Sequence, residues 1–167
     1  MNTIKLRPII TVEEKNTFVS EIQEAFQISY VSEFGEFEKQ VLPAEDIEES
    51  FNAKGAEAYI AEIDGERIGG AVIVIDDKTG YNSLHLLYVK SSAQNAGNGF
   101  KIWKAIEELH PETKIWETHT PYYDKRNIHF YVNRCGFKIV EFFNPKHKDP
   151  HQIGETAGNI PKENNYF

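Results

Sequence analysis

Apolar residues recur along this chain at two periods, and where the period changes, the predicted architecture changes with it. Ile4 to Ile10 is an apolar-rich run that reads as a short opening strand. Phe18, Ile22, Ala25, Phe26 and Ser29 then return at helical spacing. Thr11-Val12-Glu13-Glu14 precedes them in capping-box order, so a helix from about 12 to 30 is predicted. The stretch from Val31 to Val41 is acidic and irregular. Pro43 with Glu45 and Asp46 then opens a shorter helix that carries Ile47 and Phe51 on one face.

Strand-like runs follow. Glu57 to Ile63 and Glu66 to Ile75 are joined by Asp64-Gly65, a hairpin signal, and a second turn around Thr79-Gly80 leads into Leu84 to Val89. These three make an antiparallel meander. Beyond it the pattern alternates: a helix from Phe100 to Leu109, a strand from Lys114 to His119, a helix from about Asp124 to Arg134 and a strand from Phe137 to Phe143. Alternation of this kind belongs to an α/β unit with parallel pairing. One domain over residues 1–143 is expected. Residues 144–167, rich in Pro, Gly, His and Asn, are expected to form a polar arm or tail.

With 167 residues, 40% hydrophobic and 13% aromatic, the chain can bury one sizeable core. Its formal net charge of −8 argues against nucleic acid as a partner. The single cysteine, Cys135, excludes an internal disulfide framework and fits a reducing compartment. No apolar stretch resembles a signal peptide or a membrane span, so no membrane partner and a cytoplasmic location are expected. The six histidines show no recognised ligand spacing, and no metal is expected.

The segment that carries chemistry is Gln94-Asn95-Ala96-Gly97-Asn98-Gly99, with Phe100 following. It connects a strand to a helix start. Glycine lets backbone approach a ligand, and the free N–H groups of a first helical turn attract an anion, so a phosphate-bearing ligand is indicated. The loop lacks the third glycine and distant acid of a dinucleotide fingerprint, and the Gly-Lys-Ser/Thr of a Walker loop. Any anion held here must rely on amides and few cations, Lys101 among them, because screening confines charge effects to roughly 10 Å. A plain β–α turn would show the same glycines.

The Gln-x-x-Gly-x-Gly loop after a meander, followed by Tyr131 and then Gly136-Phe137, resembles the GNAT (Gcn5-related N-acetyltransferase) family over about Ile4 to Phe143. The resemblance implies an α/β (α+β) GNAT fold, with a mixed central sheet of six to seven strands and flanking helices. It implies acetyl-CoA as cosubstrate, without metal, and a small-molecule or peptide amine as acceptor. Gln94, Asn95, Ala96, Gly97, Asn98, Gly99 and Phe100 would hold the pyrophosphate. Backbone groups of Leu87 and Val89 would pair with the pantetheine, which inserts where the strand 84–89 splays from the strand 114–119. Asn127 would meet the same arm. Tyr131 would protonate the departing thiolate, which the pKa values of a phenol and a thiol allow. A base for the acceptor ammonium is sought among Glu117, His119, His85 and Tyr88. Glu117 is the choice, although a water relay can serve instead.

Two departures stand out. Tyr131 lies six residues before Phe137, where five is the commoner spacing, so an altered helix end is expected. Asp124 stands where the family often has Asn, which leaves Asn127 as the candidate. The acidic stretch from Glu33 to Glu49 would draw cationic amines if it borders the acceptor site, and otherwise it is a solvated surface. Many family members form dimers, and a homodimer is open to this chain. The rival readings are a non-catalytic acyl-CoA-binding module on the same fold and a nucleotide-binding α/β protein.

Overall fold

The computed structural model describes residues 3–144 and 146–149. The backbone forms two compact units, one up to Thr118 and one from His119.

The first unit is a five-stranded sheet in the order β1-β2-β3-β4-β5 with three helices. Its elements are β1 (Ile4–Pro8), α1 (Val12–Phe34), α2 (Ala44–Asn52), β2 (Ala56–Ile63), β3 (Glu66–Val74), β4 (Tyr81–Val89), α3 (Asn98–Leu109) and β5 (Ile115–Thr118). The α1 capping box is complete. Thr11 Oγ1 accepts from Glu14 N at 3.1 Å, and the Glu14 carboxylate accepts from Thr11 N. Glu14 also accepts from Ile10 N at 2.8 Å and pairs with Arg7 at 2.6 Å. These contacts, the Ile10 amide first, pull its carboxyl down to about 2. Helix α1 runs to Phe34, four residues past the expected end, and Gly35 closes it with φ +88°.

The hairpin between β2 and β3 has positive φ at both Asp64 and Gly65, as a type I′ turn requires. All pairs from β1 to β4 are antiparallel, and β4 pairs β5 in parallel. Helices α1 and α2 cover one sheet face. Phe18, Ile22, Ala25 and Ile47 pack there with Val72, Leu86 and Tyr88, and the Phe18 ring meets the Phe51 and Tyr88 rings edge-on. Helix α3 covers the other face with Ile102, Trp103 and Ile106 fully inside, and Trp103 meets Trp116 of β5. Gly69 is required by this packing, since a Cβ there would fall 2.2 Å from the Tyr88 carbonyl and 3.2 Å from Ile102.

The second unit holds α4 (Lys125–His129) and a π-helical turn, Phe130–Arg134. The strand expected over Phe137 to Phe143 does not form. Residues 137–142 are not assigned to a strand, Phe143 is a bridge residue only, and Ile139 and Val140 are exposed. Apolar, β-branched composition favours a strand only where a neighbouring strand supplies the hydrogen bonds. The sheet therefore has five strands rather than six or seven. Of the expected arm, residues 144 and 146–149 are described: Asn144 and His147 form a single bridge, and Phe143 stacks on His147. The rest of the arm lies outside the described residues.

Candidate functional site

Strand β4 changes character at its middle. Ile73 pairs with Leu84, and Val72 with Leu86, so β4 carries one extra residue, His85. Such a bulge re-aims the side chains around it. The parallel pairing with β5 runs from Tyr81↔Ile115 to Leu84↔Thr118 and ends there. Among the described residues, no strand pairs β4 on that side from His85 to Val89.

The ladder phase shows which backbone groups face the open edge. Lys90 N donates to Ile68 O at 2.9 Å. Antiparallel alternation from that bond turns the backbone groups of Tyr88 and Leu86 toward β3, and those of Val89 and Leu87 away from it. The Val89 carbonyl obeys this phase, accepting from Gln94 Nε2 at 3.2 Å. The pairing of β4 with β5 thus ends where the bulge begins and where β5 itself stops, at Thr118.

The loop after β4 makes a 3-10 turn, Ser91–Ala93, then enters α3. Asn95 has φ +66°, and Gly97, the residue capping α3, has φ +72°. Left-handed backbone at two alternate positions curls the chain so that successive amides point to one side. A Cβ on Gly97 would meet nothing within 4 Å, so conformation alone asks for glycine there. Asn98 is buried and ties the loop back on itself, with Nδ2 donating to Ala93 O at 2.8 Å. The first turn of α3 has no acidic residue, whereas α1 begins with Glu13 and Glu14, and α2 with Glu45 and Asp46. An anion at α3 therefore meets no carboxylate in that turn. Gly99 and Phe100 are half-buried in it. The open β4 edge and this helix start suit an extended, phosphate-bearing ligand such as a coenzyme A.

At the same end of β4, Glu21 of α1 is a nearly buried carboxylate. Arg67 donates to both its oxygens at 3.0 and 3.1 Å, Tyr88 Oη donates at 2.8 Å, and Lys90 Nζ lies at 3.6 Å. Burial, then this carboxylate, drives the Tyr88 phenol far above its usual range. A phenol so held donates only, which removes Tyr88 from the candidate bases. The cluster had no sequence signature beyond a glutamate beside the apolar stripe of α1.

In the second unit, Tyr131 is buried between the rings of Phe130 and Phe137. The extra residue in the Tyr-to-Phe spacing is absorbed by the π turn: Cys135 N donates to Phe130 O at 3.0 Å, and Phe137 N donates to Tyr131 O at 2.9 Å. Gly136, at φ +83°, turns the chain out. Asn127 is half-buried in α4, its N–H accepted by the Asp124 carboxylate at 3.0 Å. Asp124 thus serves as the helix cap.

A family model, the acetyltransferase (GNAT) family, matches residues 19–137. The chain belongs to the GNAT family. A relative in Bacillus subtilis (strain 168), uncharacterized protein YrkN, is 50% identical over 135 residues, covering 80% of this chain and 73% of its own. Solved structures share the fold. A Bacillus subtilis acetyltransferase in complex with CoA is 20% identical with a TM-score of 0.63, over 99% of this chain and 97% of that one. A GNAT acetyltransferase from Elizabethkingia anophelis with acetyl-CoA bound is 16% identical with a TM-score of 0.64, over 99% and 96%.

Of the residues the family resemblance singles out, Leu87, Val89 and Gln94 to Phe100 are contiguous along the open half of β4 and the start of α3. Glu117 is exposed and pairs with Ser83. Its face is the one opposite α3, because its neighbour Trp116 points the other way, toward Trp103. His119 lies past the end of β5 and stacks on Phe143, so strand alternation does not carry it to the Glu117 face. Among the described residues, no group of three or more His, Cys, Asp or Glu could hold a metal, and no helix is long and apolar enough to cross a membrane.

Proposed function

We propose that this protein is an N-acetyltransferase that moves the acetyl group of acetyl-CoA onto a primary amine of a small molecule or peptide, by direct attack. Family membership supports acyl-CoA-dependent acetyl transfer as the activity class. The observation that carries the reading is the open half of β4, whose outward Leu87 and Val89 backbone runs straight into the left-handed Gly97 and an acid-free helix start.

Acetyl-CoA supplies the activated acetyl group. The Leu87 and Val89 backbone binds its pantetheine, and an outward amide on β4 polarises the thioester carbonyl. Residues Gln94 to Phe100 bind the pyrophosphate, mainly through amides, with the Gln94 side chain fastening the loop to the Val89 carbonyl. Asn127 orients the pantetheine arm. Tyr131 donates a proton to the departing thiolate. Its phenol, buried beside the Phe130 and Phe137 rings, carries the hydroxyl proton to be given. Glu117 presents a carboxylate to the acceptor ammonium and takes up its proton. We read residues 1–143 as the transferase domain and the protein as cytoplasmic.

The test is a thiol-release screen with acetyl-CoA against spermidine, tyramine, lysine, an aminoglycoside and an alanine-led peptide, run beside calorimetry with CoA, ATP and NAD. Turnover with at least one amine supports the enzyme. CoA binding without thiol release from any of them would favour a non-catalytic acyl-CoA module. Preference for ATP or NAD would overturn both.

A further inference from the structure

We propose that Glu21 of α1 is a positioning residue for the reaction: acting through Tyr88, it holds the open half of β4 so that the Leu87 and Val89 backbone is presented to acetyl-CoA. The inference rests on the acetyltransferase reading above and gives a role to a nearly buried ion network that the mechanism does not otherwise use.

A strand with one neighbour needs a second support. Among the described residues, β3 is the only strand that pairs with β4 from Leu86 to Val89, and the backbone groups of Leu87 and Val89 face away from it. A segment so placed opens more readily than one paired on both sides. Tyr88 lies between those two residues. Its side chain enters the core under α1 and is 3% exposed. The ring meets Phe18 edge-on with centroids 5.0 Å apart, and the hydroxyl donates to Glu21 Oε2 at 2.8 Å. Lys90, on the other side of Val89, brings Nζ to 3.6 Å from Glu21 Oε1. Glu21 thus engages the residues on both sides of Val89. It is itself held from β3, where Arg67 Nε donates to its two oxygens at 3.0 and 3.1 Å and Nη2 lies 2.8 Å from Oε1. One carboxylate joins α1, β3 and the end of β4.

Stability alone does not account for a charged group at this place. The Glu21 side chain is 13% exposed. Removing a carboxylate from water offsets much of what its partners contribute, and apolar residues of similar size serve stability as well or better at such sites. What the ions add is direction. A carboxylate gripped by a guanidinium fork has one orientation, and its remaining lone pairs fix where the Tyr88 oxygen sits. The Tyr88 backbone is held as closely from the other side. Its ladder partner is Gly70, and a Cβ on Gly69 would fall 2.2 Å from the Tyr88 carbonyl. With ring, hydroxyl and carbonyl all fixed, the flanking peptide units of Leu87 and Val89 keep little freedom. An amide held in this way is preorganised for the thioester carbonyl, the condition under which a backbone donor stabilises a developing charge. No proton moves at Glu21, and no bond changes there. Its effect reaches the cofactor only through Tyr88.

The test compares wild type with Tyr88→Phe, Glu21→Leu and Glu21→Gln. Tyr88→Phe keeps the ring and removes only the hydroxyl. In the ligand-free protein the Tyr88 and Lys90 amides, which face β3, should exchange hydrogen about tenfold faster, while the β2–β3 ladder keeps wild-type rates. Calorimetric affinity for acetyl-CoA should fall about tenfold, and KM for the best amine of the screen should stay within twofold. Glu21→Leu should match Tyr88→Phe, and the double variant should be no worse than either, because both remove the same contact. Glu21→Gln still offers an oxygen to the Tyr88 hydroxyl and should lose only about threefold in affinity. Should Glu21→Leu fail to fold, Tyr88→Phe and Glu21→Gln decide the matter. If Tyr88→Phe kept both exchange and affinity within twofold of wild type, or if exchange rose equally across the whole sheet, the positioning role would be overturned while the acetyltransferase reading stood. Failure of wild type to bind acetyl-CoA at all would remove both readings together.

Discussion

The two halves of β4 are adjacent in one strand and differ in what their backbone is for. Residues 81–84 all pair with β5, Ser83 and Leu84 pair with β3 as well, and Asn82 and Leu84 are buried. Residues 86–89 keep β3 but lose β5, and Leu87 and Val89 turn outward. A strand edge is normally a liability that proteins cover. Here the exposed edge is short, begins at a bulge and runs into a curled loop, so it suits a single extended ligand rather than another chain. One inserted residue separates the half that pairs with β5 from the half whose edge is open.

The sharpest way to break this comparison is proline, which removes one donor at a time. Leu86→Pro takes an N–H from the β3 ladder and should abolish folding, read as loss of a cooperative thermal transition. Leu87→Pro removes an N–H that faces the open edge. It should melt within a few degrees of wild type yet weaken acetyl-CoA binding about tenfold by calorimetry, the upper end for one hydrogen bond. Equal damage from both would show that the two positions do not differ.

Next in size, Tyr131→Phe should cut turnover about 100-fold and leave acetyl-CoA affinity within threefold. An unchanged rate would remove Tyr131 from the mechanism. Gly97→Ala should weaken acetyl-CoA roughly tenfold, because a left-handed alanine costs about 1–2 kcal/mol and the loop relaxes away from that shape.

The smallest effect lies far from the open edge and serves as its control. The Glu14 carboxyl is lowered to about 2, from an unfolded value near 4.5. A depressed acid stabilises the fold above the unfolded value, and that contribution disappears as pH falls from about 4.5 toward about 2. Glu14→Gln should flatten this part of the stability–pH curve in denaturant melts. Acetyl-CoA affinity at neutral pH should not change.

Much of this was legible before any coordinates. The Thr11–Glu14 box, the apolar stripe on α1, the Asp64-Gly65 hairpin and the Gln94 to Gly99 loop are local signals, each set by a few adjacent residues. The odd spacing from Tyr131 to Phe137 already implied an altered helix end, and a π turn is what absorbs it. The failures were non-local. Phe137 to Phe143 has the composition of a strand, yet residues 137–142 are not assigned to one. His85, His119, Tyr88 and Glu117 were indistinguishable as bases, since alternation presumes regular strands, and β4 is bulged while β5 stops at Thr118.

By itself the sequence determined the helices, the meander, the glycine loop before α3 and the family, because propensity, capping and backbone conformation act over a turn or two. Only the tertiary structure decided where β4 leaves β5, which β4 amides face outward, that Tyr88 is locked to Glu21, and that Ser50 reaches His85. Those depend on register between distant segments, where one extra residue shifts which groups point where, and no local pattern records it.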